Sequence, residues 1–211
     1  MITIKEDIMK RILYILAVSV AVFFTAVQAN AQMGKRYYIN GGWQFNGTIA
    51  NNVAESAQGY GAYMEGGYYV TPMIAVGGFA SFNSNDQYYG TQTYTFDDHS
   101  ALTSDVTKSI YQVPFGTTIR CRFLRSEIQP YIEAKIGTEY SELNTYMSTF
   151  VSRSDNWGFY ISPEIGFCWF PFSQTDFGFQ LSAYYSYATN RNNAYNMHGI
   201  NNLGFKLGVA F

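Results

Sequence analysis

The sequence offers few of the residues that catalysis, metal binding or nucleic-acid binding require. Its 211 residues include two cysteines and two histidines, 13% are charged, and the formal net charge is -2. So few charges argue against nucleic acid as a partner. A G-x-S-x-G nucleophile motif, a phosphate-binding glycine loop and a paired cysteine and histidine are all absent. Asp97, Asp98 and His99 could bind a divalent ion, but such a tripeptide in a polar loop is typically solvated. We therefore expect no enzymatic activity, no cofactor and no metal site.

Long apolar runs are also scarce. The one clear case is the uncharged run Ile12–Val27, which is shorter than the about 20 residues that a transmembrane helix needs. It follows Lys10 and Arg11 and precedes Ala29-Asn30-Ala31, the pattern of a secretory signal peptide. We expect residues 1–31 to be a signal peptide, with Met9 as an alternative start, and residues 32–211 to form a single domain.

What the sequence does contain is aromatic residues, 18% of the total, arranged in segments that alternate between apolar and polar positions. Eight such segments predict strands, at 35–45, 58–70, 73–83, 109–123, 128–141, 157–170, 175–187 and 199–211. Short connections (71–72, 124–127 and 171–174) alternate with long polar ones (46–57, 84–108, 142–156 and 188–198). This rhythm is typical of an antiparallel up-and-down transmembrane β-barrel, whose strands need about 9 to 11 residues to cross a bilayer.

Alternation assigns each residue to one face of its strand. One face is free of charge and carries aromatic and aliphatic side chains such as Trp43, Phe115, Trp157 and Trp169, as expected towards lipid. The other face is predicted to line the lumen as a structural network of paired charges; its members are Glu65, Arg120, Arg122, Glu133, Lys135, Glu139, Glu164 and Lys206. Cys121 and Cys168 fall on opposite faces, so they should not form a disulfide.

The last strand carries a sharper signal. Its odd positions from Leu203 are apolar, and the chain printed here ends on Phe211. This pattern resembles the C-terminal signal of outer-membrane barrels, which the barrel-assembly machinery reads; the signal residues are Phe205, Leu207, Val209 and Phe211. Together with the signal peptide and the eight alternating segments, this strand makes the sequence similar to the small barrel family that includes the OmpA transmembrane domain and OmpX-like proteins. The sequence resembles the Bacteroidetes type of this family. The resemblance implies a Gram-negative outer membrane, with lipid around the barrel and both termini in the periplasm.

Function is then expected to lie in the long loops, which we interpret as a surface for adhesion, for other surface interactions or for envelope integrity. The connection 84–108 is the strongest candidate for contact with an unknown extracellular partner, through Tyr88, Tyr89, Tyr94 and Phe96. Two alternatives remain at this point. One is a small pore for ions or solutes. The other is a secreted soluble barrel that binds an apolar ligand, as lipocalins do; Gly41 and Trp43 match a lipocalin-like G-x-W, and the faces would then be inverted.

Overall fold

The computed structural model describes residues 36–49, 58–95, 101–147, 151–171, 176–191 and 197–211. The described residues form eight strands: β1 (Tyr37–Thr48), β2 (Gln58–Tyr69), β3 (Ile74–Thr95), β4 (Ala101–Arg122), β5 (Ile128–Tyr146), β6 (Val151–Trp169), β7 (Gly178–Ala188) and β8 (Ile200–Ala210). Each strand pairs antiparallel with the next, and β8 pairs with β1 to close the barrel. The predicted eight-stranded up-and-down barrel is therefore confirmed. The predicted signal peptide, residues 1–31, lies outside the described residues.

The barrel has two ends that differ in their connections. The short links β2–β3, β4–β5 and β6–β7 lie at one end, with the start of β1 and the end of β8; we call this the turn end and the opposite one the loop end. At the turn end the backbone of Phe211 exchanges hydrogen bonds with that of Ile39, at 2.9 and 3.2 Å. No helix in the described part of the chain is long and apolar enough to cross a membrane.

Two of the predicted long loops prove to be mostly strand. The connection predicted at 84–108 is a continuation of β3 as far as Thr95 and of β4 from Ala101, and the one predicted at 142–156 shortens because β5 runs to Tyr146 and β6 begins at Val151. Polarity indicated a loop here, but threonine and tyrosine favour extended structure. The β3–β4 register holds through this region except for a shift between Tyr88 and Gly90, where Gly90 has a φ of 73°, a conformation that glycine adopts readily.

Alternation sorts the side chains as predicted. The exterior carries a belt of exposed apolar residues such as Trp43, Phe115, Ile165 and Leu207, whereas the charged residues of the predicted network face inwards and are at most 5% exposed. Cys121 and Cys168 are both free thiols, and Cys168 is the buried one. On β6 the belt runs from Trp157 to Trp169, about 40 Å along the strand, which a tilt of about 45° reduces to roughly 28 Å.

Small residues allow the strands to approach closely at every second strand interface. Four pairs of inward-facing small residues lie in register at these interfaces. We call them the corner pairs: Gly42–Gly208 (β1–β8), Gly67–Gly77 (β2–β3), Gly116–Gly137 (β4–β5) and Gly166–Ser182 (β6–β7). A Cβ added to a glycine of any corner pair would clash with its neighbours. Their spacing around the barrel supports the sharp curvature that eight strands need in order to close.

Pro163 interrupts the β6–β7 ladder between the pairs Ile161–Tyr187 and Glu164–Tyr184. Proline has no N–H, so it cannot donate to a neighbouring strand. The Ser162 hydroxyl compensates by donating to the carbonyl oxygen of Tyr185 at 2.8 Å, and Ser162 is fully buried. The side chain thus replaces a missing backbone hydrogen bond.

We expect Ser162→Ala to lower the free energy of unfolding by about 1 to 3 kcal/mol, because a buried carbonyl loses its donor. Urea unfolding of the refolded barrel, followed by tryptophan fluorescence, measures this change. Ser182→Ala is the matched control, since the buried Ser182 hydroxyl has no hydrogen-bond partner and its removal should change little. Equal unfolding free energies for the two variants would show that the Ser162 bond contributes nothing.

Candidate functional site

Six charged side chains meet in the middle of the lumen and form what we call the charged layer: Glu65 on β2, Arg120 on β4, Glu133 and Lys135 on β5, Glu164 on β6 and Lys206 on β8. Their inward direction follows from strand parity, and each is at most 4% exposed. Since eight strands enclose a space only wide enough for side chains, charges from opposite walls are brought into contact.

Lys135 is the centre of the charged layer. Its Nζ lies 2.5 Å from Oε2 of Glu65 and 2.6 Å from Oε2 of Glu164. Lys206 Nζ reaches the same Glu164 oxygen at 2.7 Å. Arg120 pairs with Glu65 and also, through Nη2 at 2.5 Å, with Oε2 of Glu133. Each carboxylate is thus held by at least one cation, as buried charges require.

Polar and aromatic neighbours complete the charged layer. Gln180 on β7 donates to Oε1 of Glu65 at 2.9 Å, and Tyr131 donates to Oε1 of Glu164 at 2.9 Å. The Arg120 guanidinium lies between the rings of Tyr38 and Tyr131, 4.0 Å from each centroid, so cation–π attraction adds to its ion pairs. These contacts fix the side chains in one arrangement across the lumen.

Three carboxylates of the charged layer, Glu65, Glu133 and Glu164, place oxygens within 4.8 Å of one another, a spacing that a metal ion can use. They are balanced by the three cations Arg120, Lys135 and Lys206, which occupy the same space. A divalent ion would have to displace ion pairs that are already formed, so this geometry favours a structural role over metal binding.

Two residues of the predicted network lie apart from the charged layer. Arg122 ends β4 at the turn end, where its Nε donates to the carbonyl oxygen of Pro72 at 3.0 Å and its guanidinium stacks on Tyr69. Glu139 lies further towards the loop end, and its Oε1 is buried without a hydrogen-bond partner. Both face inwards, but their heights in the lumen differ from that of the charged layer, so neither takes part in its ion pairs.

The lumen between the charged layer and the loop end is also filled. An amide and hydroxyl network links β1, β3, β4 and β8, with Gln44 donating to Asn83 at 2.7 Å and Asn202 donating to Gln112 at 2.7 Å. Across from it, Met197 packs in an apolar cluster with Ile110, Leu143, Tyr160 and others. Met197 precedes β8 and is 3% exposed, so the chain just before this strand turns into the barrel. Met197 lies in the predicted connection 188–198, whose composition gave no sign of this contact.

Strands β3 to β6 continue beyond their outer neighbours at the loop end. β2 pairs with β3 only as far as Asp86, and β7 pairs with β6 only from Tyr160. Residues 87–95 and 101–108 of the β3–β4 hairpin and residues 141–146 and 151–156 of the β5–β6 hairpin form what we call the protruding sheet. It extends roughly 30 Å along the strands. Tyr88, Tyr89 and Tyr94 lie in its first strand, whereas Phe96 is outside the described residues.

The outer face of the protruding sheet is polar and acidic. The described residues of this face include four carboxylates and one cation. The carboxylates are Asp86 at the base of the sheet, Asp105, Glu142 and Asp155, and the cation is Arg153, which pairs with Glu142. Asp105 accepts from the Thr91 hydroxyl at 2.6 Å, and the negative charge of Asp105 raises the pKa of the exposed Tyr88 phenol. Such a face suits a positively charged partner and disfavours a negatively charged one.

The residues of the proposed assembly signal lie on the exterior of the last strand. Phe205 and Leu207 are each 51% exposed, and Phe205 stacks on Phe45 with 5.1 Å between ring centroids. Phe211 contacts Phe177 edge to face at 5.7 Å, as part of an aromatic rim at the turn end. His198 is exposed near the start of β8, and His99, with Asp97 and Asp98, lies outside the described residues.

Comparison with known proteins identifies the fold. Neisserial surface protein A shares 13% identity over 84% of this chain and 98% of its own, with a TM-score of 0.54. Ail, the attachment invasion locus protein of Yersinia pestis, shares 13% identity over 85% of this chain and all of its own (TM-score 0.46). OprG of Pseudomonas aeruginosa shares 12% identity over 82% of this chain and 93% of its own, with a TM-score of 0.42. At 13% identity, the likeness to Neisserial surface protein A concerns the fold alone.

No curated protein matches the sequence. The family described as outer membrane protein beta-barrel domain matches residues 15–211, nearly the whole chain. The exposed apolar belt is then the surface that faces lipid. The chain therefore belongs to the outer-membrane β-barrel protein family and lies in a Gram-negative outer membrane.

Proposed function

We propose that this protein neither catalyses a reaction nor conducts ions, and that it presents the protruding sheet at the cell surface to bind a partner. In this orientation the turn end faces the periplasm, after export by a signal peptide over residues 1–31. The observation that carries the proposal is the extension itself. β3 and β4 stay paired as far as Thr95 with one register shift, β5 and β6 stay paired as far as Tyr146, and the two hairpins are joined at their base through Thr107 and Tyr146. A rigid sheet holds contact residues in fixed positions better than a flexible loop does.

The filled lumen supports the absence of conduction. The charged layer, with Tyr38 on β1 and Gln180 on β7, takes side chains from seven of the eight strands, and the layer's own charges sum to zero. A lumen packed with mutually paired charges offers neither free width nor a selecting field. The same pairing keeps these carboxylates from acting as general acids or bases on an external substrate, which supports a role other than catalysis.

The charge of the outer face narrows the class of partner. Its four carboxylates and one arginine leave an excess of negative charge beside exposed tyrosine rings such as Tyr88. Lysine and arginine side chains can pair with the carboxylates and lie over the rings. We therefore infer that the partner is a basic protein segment, and that its binding weakens as salt screens the charges.

Shortening the first hairpin tests the proposal. Asp86 and Ser109 are register partners, so residues 87–108 can be replaced by Asn-Gly, a favoured two-residue hairpin turn. We expect the shortened protein in lipid nanodiscs to keep its boiling-dependent gel shift but to bind poly-lysine several-fold more weakly, as measured by biolayer interferometry at low salt.

Two controls separate charge from shape. The full-length quadruple variant D86N, D105N, E142Q and D155N should lose poly-lysine binding with the sheet intact, and poly-glutamate should bind neither the variant nor the parent. If the shortened protein binds poly-lysine as well as the parent does, the β3–β4 hairpin is not part of the contact surface; if the quadruple variant also binds as well as the parent, the contact surface lies elsewhere. If poly-glutamate binds better than poly-lysine, the partner class is wrong.

A further inference from the structure

The lipid-facing wall formed by β5, β6 and β7 is concave. Two adjoining depressions of about 640 and 520 Å³ share Ile165 and Ala183 and together form what we call the wall groove. Its floor is made of the small or ring-restricted side chains Ala134, Pro163 and Ala183. Register places Ala134 directly beside Pro163. Ala183 pairs with Ile165, two residues after Pro163, so Ala183 is the diagonal neighbour of Pro163 and the floor passes diagonally from β6 to β7 around the Ile165 side chain.

Bulky neighbours raise the sides of the wall groove. Ile132 and Ile165 project from β5 and β6, and Tyr185 and Leu203 project from β7 and β8; all four are more than 40% exposed. The Tyr185 hydroxyl donates to Asn201 at 2.6 Å, which holds this side chain in place. The depth of the wall groove therefore comes from a contrast of side-chain size on a rigid sheet.

The wall groove lies inside the membrane. Pro163 stands midway along β6 between Trp157 and Trp169, the residues at the two margins of the apolar belt. The first depression lies at this midplane, and the second extends towards the turn end, where it is lined by Pro130, Phe167 and Phe205 among others. The wall groove is continuous with the surface that faces lipid, and it runs through the leaflet nearer the turn end.

Two occupants fit an apolar groove at this depth, a lipid chain and a second copy of the barrel. A two-fold symmetric pair brings the same patch of both subunits together, so it would oppose one concave wall to another and leave a void. No hydrophobic force compensates, because lipid chains are as apolar as the protein wall. A flexible acyl chain can instead follow the floor and recover the dispersion contacts that a void would forfeit.

We propose that the wall groove is a binding site for an acyl chain of a glycerophospholipid, held more firmly than the lipids around the rest of the barrel. The choice of a phospholipid over lipopolysaccharide rests on the orientation proposed above, since the periplasmic leaflet contains the phospholipid. The site itself depends only on the shape of the wall and not on the function of the protruding sheet.

Native mass spectrometry of the detergent-purified barrel tests this proposal. After incubation with phosphatidylethanolamine, the protein should retain one lipid at detergent concentrations that strip the others. Ala183→Leu and Ala134→Leu, which fill the floor, should each lower this retention several-fold. Ala80→Leu is the matched control, because Ala80 is also an exposed outward alanine but lies on β3, away from the wall groove. The boiling-dependent gel shift confirms that each variant is folded.

Each alternative result overturns a different part of the proposal. Equal retention by the parent, Ala183→Leu and Ala134→Leu would show that the wall groove holds no particular lipid. Retention of added lipopolysaccharide in preference to phosphatidylethanolamine, lost in the same variants, would place the turn end in the outer leaflet and overturn the choice of lipid. A dimer that Ala183→Leu dissociates, with no retained lipid, would make the wall groove a subunit interface.

Discussion

Replacing Lys135 with methionine is expected to lower the free energy of unfolding of the barrel by about 3 to 5 kcal/mol, the usual cost of removing one partner of a buried ion pair. Lys135 is 1% exposed and is the shared cation of Glu65 and Glu164. Without it, both carboxylates stay buried with too little positive charge beside them. Urea unfolding in lipid vesicles, followed by loss of the gel band that shifts on boiling, measures the change.

Two further variants show whether burial is the cause. Arg153→Met removes an exposed ion pair, since the Arg153 side chain is 53% exposed, and should change the unfolding free energy by no more than about 1 kcal/mol. The double variant K135M/E164Q restores the charge balance of the charged layer and should recover part of the loss. Similar losses in Lys135→Met and Arg153→Met, or no recovery in the double variant, would show that the charged layer does not stabilise the barrel through its ion pairs.

Replacing Gly137 with valine is expected to lower the free energy of unfolding of the barrel by at least about 3 kcal/mol, the upper end of the usual cost of overpacking. A Cβ at Gly137 would clash with the carbonyl oxygen of Phe115 and with Gly116 Cα, and backbone atoms cannot rotate away as side chains can. We expect most of the protein to fail to close, which would appear on a gel as the absence of a band that shifts on boiling.

Gly47→Val is the matched control, because a Cβ at Gly47 would meet no atom within 4 Å. Both variants remove a strand glycine and add the same β-branched side chain, so a general effect of glycine replacement would appear in both. If Gly137→Val folds as efficiently as Gly47→Val, the corner pairs are not needed for closure of the barrel.

Much of the barrel could be predicted because the period of two is a direct consequence of strand geometry. Trp43 and Leu207 are exposed, and Glu65 and Lys135 are buried, as their positions in alternating segments indicated. The number of strands followed from the turns, since a short link between two such segments leaves little choice but a hairpin. These features depend on local sequence patterns, so they can be recognised without the three-dimensional structure.

The heights of side chains within the lumen could not be predicted in the same way. Parity assigns Glu139 and Arg122 to the inner face, but the stagger between strands decides which residues meet, and it leaves both apart from the charged layer. The protruding sheet was missed because both of its faces carry polar residues, as with Thr91 and Gln92, so the alternation fades. Met197 gave no signal, since its burial depends on packing across the barrel.

The position of Lys206 has a consequence for how the seam between β1 and β8 closes. A β8 strand that slips by two residues keeps its inner and outer faces and can form nearly as many backbone hydrogen bonds. A slip at this seam moves Lys206 by about 7 Å relative to β1 and β2, away from Glu65 on β2, which Lys206 Nζ contacts at 4.0 Å in the native register. Slipped closures would thus misalign the two sides of the charged layer in the middle of the molecule, so its ion pairs favour the native seam over slipped ones.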